Sequence, residues 1–199
     1  LTSVLLICHK ECCLGILRKY DVKATFFVTN QFPSYVHLVE DIVNDGHAIG
    51  VHSLTHEWSI YRSESSYLAD FNEMHDIILE RTGVDTKIFR FPGGTNNTIS
   101  RNYAYGIMNR LVDTMTDKGY VYFDWNVDCG DTLGYSASRI ANTTSNQISG
   151  RKNSIVLMHD IRYNTIEAIS TIIEWGLDNG YSFRTLNEYS PTVQFRPVN

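Results

Sequence analysis

Short apolar runs alternate with longer stretches of helical spacing along nearly the whole chain, and this alternation restricts the fold more than any other feature. The runs cover residues 24–28, 48–51, 87–91, 121–127, 154–158 and 181–186. Each is rich in β-branched or aromatic residues and has the length of a buried strand. Between them, residues 35–44 place Val36, Val39 and Val43 on one helical face before the stop signal Asp45-Gly46. Residues 64–81 carry Leu68, Phe71, Met74, Ile78 and Leu79; residues 103–118 carry Ile107, Leu111, Val112 and Met115 and stop at Gly119. Residues 166–179 carry Ile169, Ile172, Ile173 and Leu177 and stop at Gly180. A further helix is expected to start near residues 136–138. Repeated β-then-α order predicts an α/β fold with a parallel sheet, open or closed into a barrel.

The 199 residues suit one α/β domain, residues 1–199, with a substantial core. No repeat, low-complexity tract or linker divides them. Net charge is −5 without a basic run, which argues against a nucleic-acid partner. No apolar stretch reaches the ~18 residues of a membrane helix. The chain begins at Leu1 without a charged n-region, as an excised or truncated domain would, so any signal or anchor is expected upstream. Cys8, Cys12, Cys13 and Cys129 lack zinc-ribbon or thioredoxin spacing and read as structural or incidental cysteines, with a redox or metal role as the alternative.

Polar clusters follow four of the apolar runs. His52-Ser53-Leu54-Thr55-His56 follows the second, Arg90-Phe91-Pro92-Gly93-Gly94 ends the third, Asp128-Cys129-Gly130-Asp131 follows the fourth and His159-Asp160 the fifth. In parallel α/β folds the carboxyl ends of the strands form a shared rim where sites are built. His52 and His56, four apart, can present two imidazoles to one divalent ion, or be two ordinary loop histidines. Arg90 can hold a carboxylate beside glycines that let backbone approach a ligand, or be a surface or capping arginine. His159 ends an apolar strand, as a catalytic or a satisfied core histidine would. Asp131 or Asp128 could orient it, or cap the helix that follows.

Together these segments resemble the polysaccharide deacetylase family, also called the NodB homology domain or carbohydrate esterase family 4. The resemblance runs from about Ile16 to Leu186 and rests on Lys23-Ala24-Thr25-Phe26-Phe27-Val28, the His52–His56 motif, the Arg90–Gly94 motif and Leu157-Met158-His159, in the family's order. It implies a distorted (β/α) barrel, with parallel strands and outer helices, that removes N-acetyl groups from peptidoglycan, chitin-like oligomers or xylan. Asp124-Trp125-Asn126-Val127 and the wording around Arg90 favour peptidoglycan. The resemblance implies that His52 and His56 hold a divalent metal, zinc foremost, and that His159 is the general acid, tuned by Asp131. The Gly93 N–H, after Pro92, would hold the oxyanion, Leu157 would line the acetyl-methyl pocket, and Arg90 would anchor the catalytic base. The family often has Tyr where Gly93 stands and Trp where Thr132 stands. A monomer, extracellular or associated with a bacterial cell wall, is expected.

One motif departs from the family. Leu1-Thr2 fits its beginning, but Ser3-Val4-Leu5-Leu6 stands where Phe-Asp-Asp-Gly belongs. The missing aspartates are the family's general base and third metal ligand. Residues 1–15 are therefore expected to be degenerate or truncated, with His9 and Cys8 poorly placed to substitute. The chain is expected to be an impaired deacetylase or, alternatively, an inactive glycan-binding domain of the same fold. Residues 4–7 still suit a buried parallel strand.

Overall fold

The computed structural model describes residues 2–5 and 10–198, with backbone alone for residues 2–5, 10 and 11. Among the described residues, seven parallel strands form one sheet in the order β5-β4-β3-β2-β1-β7-β6. They are β1 (Thr2–Leu5), β2 (Thr25–Val28), β3 (Ala48–Val51), β4 (Ile88–Phe89), β5 (Val121–Tyr122), β6 (Val127–Asp128) and β7 (Val156–His159). The helices are α1 (Lys10–Lys19), α2 (Leu38–Asn44), α3 (Glu64–Thr82), α4 (Ile107–Asp117), α5 (Ala137–Ile148) and α6 (Tyr163–Asp178). The expected strand near the N-terminus is present, and β1 takes the central place between β2 and β7. Leu6 to His9 lie outside the described residues, and with them part of the altered motif and both substitute ligands considered for it.

Strand alternation divides the core into two layers. Phe26 and Val28 of β2, and Val156 and Met158 of β7, pack with Leu14, Leu17, Phe71, Ile169 and Ile173 of the helices. Phe27 points the other way and joins Ile88, Phe123 and Ile155 in a smaller inner cluster. Successive side chains of a strand face opposite sides, so Leu157 and His159 share the inner face with each other and not with Met158. The α1 helix was not expected from the sequence; its apolar stripe is short, with Cys13, Leu14 and Leu17 buried.

Two expectations need correction. Residues 121–127 do not form one strand. Phe123 N–H still bonds the Phe89 carbonyl, but Asp124 N–H turns to Val193, and Asn126 and Val127 N–H both reach Ile155. The run therefore leaves one edge of the sheet as β5 and enters the other as β6, so this crossing segment makes the barrel a distorted one. Residues 181–186 form no strand either. Their ring at Phe183 packs on Gly176, and Leu186 N–H bonds the Thr25 hydroxyl at 2.7 Å in place of a ladder partner. Two helices, α2 and α4, also start later than their patterns, since Tyr35 lies in a 3₁₀ turn before α2 and Tyr103 follows another before α4, while α6 starts three residues earlier than its pattern.

Gly50 shows how tightly the inner layer is filled. A Cβ there would lie 2.7 Å from Phe27 Cδ1 and 2.8 Å from the Ile88 carbonyl oxygen, a backbone atom that cannot rotate away. Overfilling a packed core costs about 1–3 kcal/mol. Gly50→Ala should lower the unfolding free energy by roughly that amount in urea titrations, and an unchanged midpoint would show that β3 and β4 can separate at little cost.

Candidate active site

The His52–His56 loop leaves the end of β3. His52 is buried, and its Nδ1 lies 2.7 Å from the Arg90 carbonyl oxygen. A carbonyl can only accept, so Nδ1 carries the proton and the Nε2 lone pair is left for another partner. His56 sits on the same side, with ring centroids 5.1 Å apart, and adopts φ +57°, the left-handed region that non-glycine residues seldom enter. Asp70 of α3 holds the loop in that shape. Its carboxylate accepts the N–H groups of Leu54 (2.8 Å) and Thr55 (3.0 Å) and the Thr55 hydroxyl (2.7 Å). The Ser53 hydroxyl accepts His56 N–H at 3.0 Å. Burial, and then the neighbouring His56, hold His52 well below the usual histidine range. Burial, and then His159, lower His56 as well. Both rings are neutral at neutral pH, the protonation state in which imidazole binds a metal. This donor set fits two positions of a divalent site. Among the described residues, no group of three His, Cys, Asp or Glu could complete one.

Arg90 follows β4 and is 1% exposed. Its Nε donates to the Phe123 carbonyl (2.7 Å) and one Nη to the Asp124 carbonyl (3.1 Å). The guanidinium carbon lies 4.6 Å from the Phe27 ring centroid and 5.7 Å from that of Trp125. Burial lowers its pKa to about 9, still cationic at neutral pH. Phe91 to Gly94 form a tight turn, in which Gly94 N–H bonds the Phe91 carbonyl at 2.9 Å and Gly93 has φ +78°. The Tyr61 hydroxyl donates to the Pro92 carbonyl at 2.8 Å. On the far side of the turn, the Asp124 carboxylate accepts Thr95 N–H (3.0 Å), the Thr95 hydroxyl and Phe195 N–H (2.7 Å). Burial raises the Asp124 pKa, opposed by these bonds.

His159 ends β7, and Asp131 opens the turn after β6. Asp131 Oδ1 lies 2.9 Å from His159 Nδ1, while its Oδ2 accepts His159 N–H (2.7 Å) and the Thr165 hydroxyl (3.0 Å). Burial alone would raise the Asp131 pKa; the hydrogen bonds and charge of His159 outweigh it, and the net shift is downward. Of the two aspartates considered for this role, Asp131 meets His159. Asp128 instead accepts Gly130 N–H at 2.9 Å, and Ser136 caps α5. With His159 so held, Nε2 faces away from Asp131. Val4 of β1 is level with His159 on one side and Phe27 on the other, so the altered motif runs beside this pair.

Sequence reasoning thus picked out the residues at the strand ends but missed those that hold them. Asp70 did leave a signal: it interrupts the buried stripe of α3 between Tyr67, Phe71 and Met74. An acid on an apolar stripe asks for partners. Tyr61, Thr95 and Thr165 left none, because their partners lie far away in sequence.

The polysaccharide deacetylase family model matches residues 8–109, just over half of the chain. A peptidoglycan-N-acetylglucosamine deacetylase of Bacillus cereus is 27% identical over 187 residues, covering 89% of this chain and 64% of that protein. The chain spans about three fifths of the length of several relatives it matches. The crystal structure of the catalytic domain of peptidoglycan N-acetylglucosamine deacetylase from Eubacterium rectale superposes with a TM-score of 0.97 at 38% identity, covering 100% of this chain and 92% of that one. The polysaccharide deacetylase Bc1974 from Bacillus cereus gives a TM-score of 0.83 at 25% identity, covering 96% and 93%. With its parallel strands, distorted barrel and motif order, this chain belongs to the polysaccharide deacetylase family.

Proposed function

We propose that residues 1–199 form one deacetylase domain that acts on the N-acetylglucosamine of peptidoglycan outside a bacterial cell, and that it works poorly because its first motif is altered. The observation that carries this reading is the convergence of His52, His56, the Pro92–Gly93 turn and the His159–Asp131 pair on the carboxyl ends of β3, β4, β6 and β7. The peptidoglycan deacetylases among its relatives support the choice of polymer.

Members of the family generally depend on a divalent metal. In this chain His52, through Nε2, and His56 would hold it, and when bound it would polarise the acetyl carbonyl and acidify water. The chain's own groups do the rest. The Gly93 N–H would donate to the oxygen that gains charge as the carbonyl carbon becomes tetrahedral. Protonated His159, with Nδ1–H on Asp131, would give the Nε2 proton to the departing sugar amine. Leu157, two residues before His159 and so on the same strand face, would line the methyl pocket. The missing function is proton removal from water. Val4 and Leu5 stand where the family carries aspartates, and neither can accept a proton or bind a metal. General-base loss is worth ~10²–10⁴-fold.

That same vacancy favours a second reading, a glycan-binding domain without turnover. Replacing residues 3–6 with Phe-Asp-Asp-Gly and measuring acetate release from acetylated glucosamine oligomers with zinc present separates the two. The repaired chain should gain at least ~10²-fold over the unaltered one. Strong turnover by the unaltered chain, or none by a folded repaired one, defeats the proposal.

Zinc affinity measured by calorimetry should fall sharply in both His52→Ala and His56→Ala, and unchanged binding in both would remove these residues from the site. It should already be weaker than in relatives with three protein ligands. The Asp131–His159 pair predicts a pH effect. A carboxyl with a lowered folded pKa adds stability above the ordinary range near ~4 and loses it as pH falls through the folded value. Asp131→Asn should therefore flatten the acid limb of the stability curve, while an unaltered limb would mean that other carboxylates set it.

A further inference from the structure

We infer that Tyr61 is a positioning residue that fixes the direction of the Gly93 N–H. The oxyanion role of that N–H rests on the function proposed above, but the control of its direction does not.

The Pro92 carbonyl and the Gly93 N–H belong to one peptide unit. No peptide bond among the described residues is cis, so the two groups point in opposite directions. The unit is the middle peptide of the Phe91–Gly94 turn, which has Pro at its second position, Gly at φ +78° at its third, and the Gly94 N–H to Phe91 carbonyl bond of 2.9 Å. Positive φ at the third position is the mark of a type II turn. Types I and II place the outer residues alike and differ by a half-turn of this middle peptide. A four-residue turn of this kind therefore has two nearby states, and they aim the Gly93 N–H to opposite sides.

Two features select one state. Gly93 admits the positive φ without Cβ strain. Space matters as well: a Cβ at Gly93 would stand 2.6 Å from Trp58 Cη2, so the indole already occupies the room a side chain would need. The second feature is the Tyr61 hydroxyl, which donates to the Pro92 carbonyl at 2.8 Å. Tyr61 is fully buried, stacked on Tyr67 with ring centroids 5.8 Å apart and 6.0 Å from the Trp58 ring. A hydroxyl so enclosed cannot swing to solvent. Half-turn rotation of the Pro92–Gly93 peptide would break its bond and leave a buried donor unpaired, which opposes the rotation. The bond holds the carbonyl toward the core and the N–H away from Tyr61. It also polarises the peptide, since hydrogen bonding at C=O strengthens N–H as a donor. Burial pushes the phenol's pKa well above the ordinary tyrosine range, which favours the protonated, donating form.

The test needs no turnover. In the full, isotopically labelled chain, residual dipolar couplings report the direction of the Gly93 N–H, and sodium acetate, the product anion, serves as the probe of that amide. In the unaltered chain the coupling should match one orientation, pointing away from Tyr61, and acetate should shift the Gly93 amide resonance. In Tyr61→Phe, which loses one oxygen atom and keeps the ring, the coupling should change and the acetate response should fall severalfold. With residues 3–6 also replaced by Phe-Asp-Asp-Gly, Tyr61→Phe should lower kcat at least ~10-fold with KM within about twofold, on the scale of losing part of an oxyanion donor. A folded Tyr61→Phe chain with an unchanged coupling overturns the inference. If that variant does not fold, a coupling in the unaltered chain that aims the N–H toward Tyr61 overturns it equally. A coupling that changes in Tyr61→Phe while acetate never perturbs Gly93 supports the control by Tyr61 and refutes the oxyanion role instead.

Discussion

A buried guanidinium organises this barrel. Removing a charge from water is costly unless hydrogen bonds and opposite charge replace the lost solvent. Arg90 meets that demand with backbone carbonyls from the segment that crosses between the two sheet edges, and with the faces of Phe27 and Trp125. The crossing segment cannot move without exposing the charge to an apolar interior. Arg90 also gives its own carbonyl to His52. One residue thereby couples the closure of the barrel to the tautomer of a candidate ligand. The aspartate beside its acceptors, Asp124, ties down the turn that carries Gly93.

Much of this was legible in the chain. The parallel α/β class, the ends of β2 and β3, and the helices α3 and α6 followed from periodicity and glycine stops, because those segments bury apolar residues at regular spacing. Residues 121–127 misled because valine and aromatic side chains fill five of the seven positions. What breaks it is the buried Asp124, whose partners lie ~30 and ~70 residues away, beyond any local pattern. Residues 181–186 misled for the converse reason: their apolar content serves packing against α6 and β2 without a ladder.

The site divides along the same line. The candidate site residues His52, His56, Arg90, Asp131 and His159 stand at or just after strand ends in short motifs, and it was the order of those motifs, read as a family resemblance, that singled them out. Residues that aim them do so across the fold. Asp70 shapes the loop that puts His56 at positive φ, and Thr165 holds Asp131 from the first turn of α6. Residue spacing alone left Asp128 and Asp131 open and the family resemblance favoured Asp131; the turn explains the contact, since Gly130 and Gly134 both adopt positive φ beside Asp131.

The segment that reaches β5 from the far end of the chain has another consequence. Val193 accepts Asp124 N–H, Phe195 N–H caps the Asp124 carboxylate, and the Gln194 amide donates to the Tyr122 carbonyl. These residues lie along an outer strand of the sheet, where open N–H and C=O groups can template pairing with another molecule. Phe195 adds a cover, edge-on to Trp125 with centroids 5.1 Å apart. Residues 193–195 therefore cover groups on that edge that would otherwise invite edge-to-edge pairing.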